Sequence, residues 1–251
     1  MKTTFIVFFI LAFIPPLVSQ EYLPRYFTMG ADTLPYRILY PQGYEKSKKD
    51  YPLVLFLHGA GERGADNKKQ LVHGSRLFAD SIGQYPAIVV FPQCPENAYW
   101  ATLEWERPSS VIEFPLYEKP GKPMEMVIGL LDSLLVSERV DTGRVYLAGL
   151  SMGGFGTFEL LARRPQTFAA AVPICGGGNS LLAPLYAPNT HLWIFHGAAD
   201  DIVPVELSQK MYRALQHSGA AVRYTEYPDA NHNSWDPAFA EPRFLSWLFS
   251  Q

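Results

Sequence analysis

The chain has 251 residues, with 21 basic against 24 acidic side chains, 48% hydrophobic residues and only 2 cysteines. A net charge of −3 without a basic stripe argues against a nucleic-acid partner. Two cysteines cannot build a disulfide framework, nor a four-ligand zinc site without help from histidines, and the length suits one large α/β domain or two small ones.

Residues 1–19 read as a secretory signal peptide. Lys2 precedes the apolar run Phe5 to Ile14, no charge follows through Gln20, and Pro15-Pro16 would break a helix where a membrane span has to continue. The run is shorter than the ~20 residues that cross a bilayer. Cleavage after Ser19 leaves residues 20–251, secreted or periplasmic, with no membrane attachment.

From Tyr36 onward, short apolar and β-branched runs alternate with longer helical patterns. That alternation predicts βα repeats around a mostly parallel sheet with helices on both faces. Strands are expected at 36–40, 53–57, 87–91, 144–150, 169–174, 192–195 and 222–227. The run Leu53-Val54-Leu55-Phe56-Leu57 is continuously apolar, as a strand covered on both faces has to be. Helices are expected over 124–138, where Met124, Val127, Leu131, Leu134 and Leu135 share a face, over 154–163, and over 205–217, stopped by Gly219. No repeat or linker divides the pattern, so one domain is expected. Residues 92–123 carry little periodicity but hold Tyr99, Trp100, Trp105, Phe114 and Tyr117. Long irregular stretches in compact domains often serve as lids or binding loops.

Gly149-Leu150-Ser151-Met152-Gly153 stands between an apolar strand pattern and a helical one. A serine on a sharp strand-to-helix turn exposes its hydroxyl above the sheet, and flanking glycines leave room for the tight backbone. The start of the helix also offers the Met152 N–H to a negative oxygen formed beside the serine. A serine hydroxyl is a weak nucleophile until a histidine, itself oriented by a carboxylate, takes its proton. The strand at 192–195 runs into His196-Gly197-Ala198-Ala199-Asp200-Asp201, which puts acidic groups at the sheet edge where open α/β folds bind ligands. Spacing alone leaves Asp200 and Asp201 equivalent. The strand at 222–227 leads to Pro228-Asp229-Ala230-Asn231-His232-Asn233, whose one histidine is the candidate base, with Asp229 either capping its loop or holding His232. His73, His191 and His217 lie in helical or strand patterns that suit surface or core roles. The turn His58-Gly59-Ala60-Gly61-Glu62-Arg63-Gly64 can aim a second backbone N–H at the same oxygen, from Ala60 or else from Gly59 or Gly61. It lacks the patterns of phosphate-binding loops, and His58 reads as a structural residue of the turn.

These blocks, with Phe91-Pro92-Gln93-Cys94-Pro95, Val203-Pro204 and His232-Asn233-Ser234-Trp235, resemble the α/β-hydrolase superfamily. Within it they are similar to secreted carboxylesterases and predicted peptidases related to feruloyl esterases, dienelactone hydrolases and polyhydroxybutyrate depolymerases. The resemblance runs from Tyr36 to the C-terminus. It implies an α/β-hydrolase catalytic domain with the triad Ser151, Asp200 and His232, the aspartate chosen by its place shortly before Val203-Pro204. The usual strand order of that fold separates Cys94 from Cys175 by two strands, each ~4.8 Å from the next, so both are expected as buried free thiols.

The resemblance implies hydrolysis of carboxylic esters through an acyl-enzyme, with no metal or cofactor. The expected partner is a small ester or an acylated carbohydrate, such as feruloyl or acetyl groups on plant polysaccharides. Trp100, Trp105 and Trp235 offer flat surfaces for a sugar ring or an aromatic acyl group. A serine peptidase uses the same scaffold. A non-catalytic carbohydrate-binding module is expected to have lost a triad member, whereas all three candidates are present.

Overall fold

The computed structural model describes residues 21–105, 111–115 and 119–251. The expected signal peptide and Tyr117 lie outside these residues. In chain order the elements are β1 (Leu23–Met29), β2 (Asp32–Leu39), β3 (Tyr51–Leu57), α1 (Ser75–Ser81), β4 (Ile88–Pro92), β5 (Glu104–Trp105), β6 (Ile112–Glu113), α2 (Lys122–Ser137), β7 (Val140–Leu150), α3 (Met152–Arg163), β8 (Ala170–Ile174), α4 (Ala183–Tyr186), β9 (His191–Gly197), α5 (Val205–His217), β10 (Val222–Tyr227), α6 (Trp235–Phe239) and α7 (Phe244–Leu248).

The main sheet has the order β1-β2-β4-β3-β7-β8-β9-β10. The pairs β1–β2 and β2–β4 are antiparallel; every neighbouring pair from β4 across to β10 is parallel. Successive side chains of a strand point to opposite faces. Leu53, Leu55 and Leu57 of β3 join Val145 and Leu147 of β7 in a core beneath α2, α3 and α5. Val54 and Phe56 join Tyr146, Ala148 and Leu150 in a second core beneath α1 and α7. All five residues from Leu53 to Leu57 are fully buried. At roughly 1.5–3 kcal/mol per large apolar side chain, they tie β3 into the centre of the sheet. The fold is therefore the expected one, a mostly parallel sheet with helices on both faces.

Three features depart from the sequence reading. Strand β1 was not expected, because its residues are mostly exposed and carry no apolar alternation; pairing with β2 across the Gly30-Ala31 turn makes it a strand. The irregular 92–123 stretch contains an antiparallel pair, β5 with β6, in which Trp105 faces Ile112. Four short helices, α1, α4, α6 and α7, lie outside the three helical ranges read from the sequence. Cys94 and Cys175 are free and buried, and β3 and β7 stand between their strands, as expected.

Candidate active site

Parallel strands deliver the loops that follow them to one sheet edge, so the turns after β3, β7, β9 and β10 meet there. Ser151 stands alone between β7 and α3 with φ 54° and ψ −118°. A non-glycine residue held at positive φ costs on the order of 1–3 kcal/mol, so its surroundings must enforce the conformation. The Ser151 N–H donates to the Ile174 carbonyl at 2.9 Å, fixing the turn to the end of β8. A Cβ on Gly149 would meet the Gly153 carbonyl oxygen at 2.3 Å, and one on Gly153 would meet the Leu57 carbonyl oxygen at 1.9 Å. The glycines therefore allow the start of α3 to press on the end of β3, which lifts the serine side chain off the edge.

Ser151 Oγ lies 2.9 Å from His232 Nε2, and His232 Nδ1 lies 2.9 Å from Asp200 Oδ2. An ionised carboxylate only accepts hydrogen bonds, so Nδ1 carries the proton and Nε2 is left to accept one from the serine. The loops bearing Asp200 and His232 meet at Gly197, where a Cβ would strike the Ala230 carbonyl oxygen at 2.3 Å. Asp201 and Asp229, the alternatives left open by spacing, are exposed.

The Asp200 side chain has no solvent exposure. The N–H groups of Ile202 and Val203 donate to its Oδ1 at 2.9 and 2.8 Å, and His196 Nε2 lies 3.2 Å from Oδ2. Burial pushes the carboxyl up, but the hydrogen bonds from His196, His232, Val203 and Ile202 outweigh it and hold Asp200 well below the usual carboxylate range. His196 is fully buried, with Nδ1 2.7 Å from Ser208 Oγ on α5. Sequence reasoning gave His196 no role of its own. Its place directly at the end of an apolar strand, four residues before the aspartate, was the available signal.

Ser151, Met152, Phe155, Trp105, His232 and Trp235 line a pocket of about 430 Å³, which Tyr99, Glu62 and His73 also reach. Two of the three expected tryptophans, Trp105 and Trp235, are thus at the site. Trp100 is not: it is fully buried, and its indole N–H donates to the His58 carbonyl at 3.0 Å. Its polar edge is used to hold the turn after β3, and no face remains for a substrate. His73, given a surface or core role in sequence, instead reaches the pocket, and Glu62 lies in a turn that was read only for its backbone N–H groups. A larger cavity of about 640 Å³ shares the Phe155 wall but holds none of the Ser–His–Asp chain.

The phospholipase/carboxylesterase family of α/β-hydrolases matches residues 41–242. The chain belongs to this family. Among relatives of this chain, the bifunctional acetylxylan esterase/xylanase XynS20E of Neocallimastix patriciarum is 28% identical over 195 residues, 74% of this chain and 26% of that protein. The poly(3-hydroxyalkanoate) depolymerase C of Paucimonas lemoignei is 42% identical over 127 residues, 50% of this chain and 28% of that protein. The chain thus spans about a quarter of the length of these curated relatives. A thermostable esterase of known structure superposes with a TM-score of 0.80 at 36% identity, covering 92% of this chain and 63% of that one.

Two further groups are buried in the turns after β3 and β8. His58 is buried in the turn after β3; its Nε2 accepts the Cys94 N–H at 2.9 Å, so Nδ1 carries the proton and donates to the Gly59 carbonyl at 2.6 Å. Burial lowers its pKa to about 4, keeping it neutral and structural, as expected. Cys175 offers a sulfur within 4.8 Å of ligand atoms of Asp200 and His232, a set that could in principle hold a metal ion. Burial pushes the thiol up, and Asp200 and His232 already bind each other, so the donor set provides no thiolate and no free imidazole nitrogen on that side. Among the described residues, no helix is long and apolar enough to cross a membrane.

Proposed function

We propose that this chain is a secreted serine hydrolase of carboxylic esters, acting on acetyl or feruloyl esters of plant polysaccharides. The carrying observation is the unbroken chain Ser151 Oγ, His232, Asp200, with 2.9 Å at each link. Ser151 attacks the ester carbonyl while His232 Nε2 takes its proton. The oxygen that becomes negative sits against the N–H groups of Ala60 and Met152. Each residue opens a helical segment, whose first N–H groups have no partner inside the helix. His232 then passes the proton to the departing alcohol, the acyl group stays on Ser151, and water activated by the same imidazole releases the acid. Asp200 holds the imidazole in the required tautomer and stabilises its cation. Export is supported by the uncharged apolar run after Lys2.

The test is a panel of p-nitrophenyl acetate, methyl ferulate, acetylated xylan and a peptide anilide, with Ser151→Ala as control. Esters should be turned over and Ser151→Ala should be inactive. A peptide anilide cleaved faster than every ester would make the enzyme a peptidase. A wild-type protein inert on all four and unlabelled by a fluorophosphonate would make it a binding module.

A further inference from the structure

In the proposed reaction the leaving alcohol oxygen must approach His232 Nε2, which gives it a proton. Whatever that alcohol carries therefore lies against the residues next to His232 in the pocket. Trp235 is the first of these, with its ring centroid 5.4 Å from that of His232. His73 follows, 5.1 Å from the Trp235 ring, and the Glu62 carboxylate lies 3.8 Å from His73 Nε2. A 3.8 Å separation is too long for a hydrogen bond. The Glu62 side chain is nevertheless only 13% exposed. A carboxylate this deep in a wall, with four acceptor positions, calls for donors.

We propose that Glu62, His73 and Trp235 form a recognition site for the leaving alcohol, and that this alcohol is a sugar or similar polyol. This rests on the esterase reading above. A sugar hydroxyl both donates and accepts, which matches a carboxylate acceptor beside an imidazole with one donor and one acceptor nitrogen. The flat Trp235 ring suits the apolar face of a pyranose. A cationic alcohol is disfavoured. An ammonium has no acceptor for the His73 N–H, and the Arg63 guanidinium stands 5.1 Å from the ring of Tyr99, another pocket residue.

The experiment compares an O-acetylated methyl xyloside, p-nitrophenyl acetate and dimethylaminoethyl acetate. All three give the same acetyl-enzyme and differ only in the alcohol, so kcat/KM reports the acylation step in which the alcohol leaves. In Glu62→Gln and Trp235→Ala, the ratio of kcat/KM on the xyloside ester to that on p-nitrophenyl acetate should fall about tenfold, the scale of one hydrogen bond to a charged group for Glu62 and of one lost ring contact for Trp235. A merely structural role lowers both rates together and leaves the ratio unchanged, which overturns the proposal. A loss confined to the dimethylaminoethyl ester overturns the polyol in favour of a cation. Wild-type turnover of p-nitrophenyl acetate with none of the xyloside ester overturns the proposal, and the polysaccharide substrate with it, while the esterase reading stands. Inertness on all three overturns the esterase reading and this inference with it.

Discussion

Ser151 Oγ and His232 Nε2 stand 2.9 Å apart although they are 81 positions apart in the chain. The contact depends on β7 and β10 ending at the same sheet edge, with Gly197 letting the loop before His232 settle on the loop that carries Asp200. Replacing either end of this contact should remove activity. Ser151→Ala and His232→Ala should each lower kcat for p-nitrophenyl acetate on the order of 10³-fold or more. Ser151→Ala should also abolish labelling by a fluorophosphonate.

Asp200 and Asp201 are neighbours with opposite expected effects. Asp200→Asn removes the charge that fixes the His232 tautomer and should lower kcat on the order of 10³- to 10⁴-fold, while Asp201→Asn, at an exposed position, should stay within about twofold. Stability follows a defined sign. The folded-state pKa of Asp200 is depressed, so its stabilising contribution is present above the unfolded value of ~3.9 and is lost as pH falls below it. The gap in unfolding midpoint between wild type and Asp200→Asn should therefore narrow between about pH 5 and pH 3. Thermal melts across that range measure it.

In the proposed reaction His196 acts through Asp200. Wedged between Ser208 Oγ and the carboxylate, it fixes the direction in which Asp200 points. His196→Asn should lower kcat for esters about tenfold with KM little changed, because orientation matters most in the transition state. Steady-state kinetics with Ser208→Ala beside it, expected to show a smaller loss in the same parameter, distinguishes lost positioning from lost binding.

His58 provides a stability signature at mildly acidic pH. Burial lowers its folded pKa to about 4, so the unfolded chain takes up a proton first, and stability falls as pH drops from the unfolded value toward 4. Between about pH 7 and pH 4 the wild type should lose about 3 kcal/mol relative to His58→Gln, which cannot take up that proton. Urea unfolding of both proteins at several pH values reads the difference.

Trp100 and Trp105 should separate structure from specificity. Trp100→Phe deletes the indole donor to the His58 carbonyl and should cost about 1–3 kcal/mol of stability while leaving relative rates across the ester panel unchanged. Trp105→Ala, at the pocket wall, should change those relative rates. Melting curves and the panel together check both.

Much of this protein was legible in the sequence because its signals are local. Continuous apolar runs mark strands buried on both faces, and Gly149-Leu150-Ser151-Met152-Gly153 between a strand and a helix marks the turn of the proposed nucleophile, since both patterns follow from steric demands within a few residues. The chain order of Ser151, the Asp200-Asp201 pair and His232 was equally readable, as was the glycine-rich turn after β3. Tertiary structure alone decided the rest. Spacing left Asp200 and Asp201 equivalent and only the family resemblance favoured Asp200; the approach of two loops puts it, rather than Asp201 or Asp229, against His232. Trp100 and Trp105 look alike in sequence, yet one is sealed behind His58 and the other lines the pocket. The exposed strand β1 exists only because β2 offers it an edge, Glu62 turns its side chain to the pocket from a turn read for its backbone alone, and His73 reaches the site from a segment with no motif of its own. These features are made by contacts between distant segments, and the one-dimensional pattern records a residue's neighbours in the chain, not its neighbours in space.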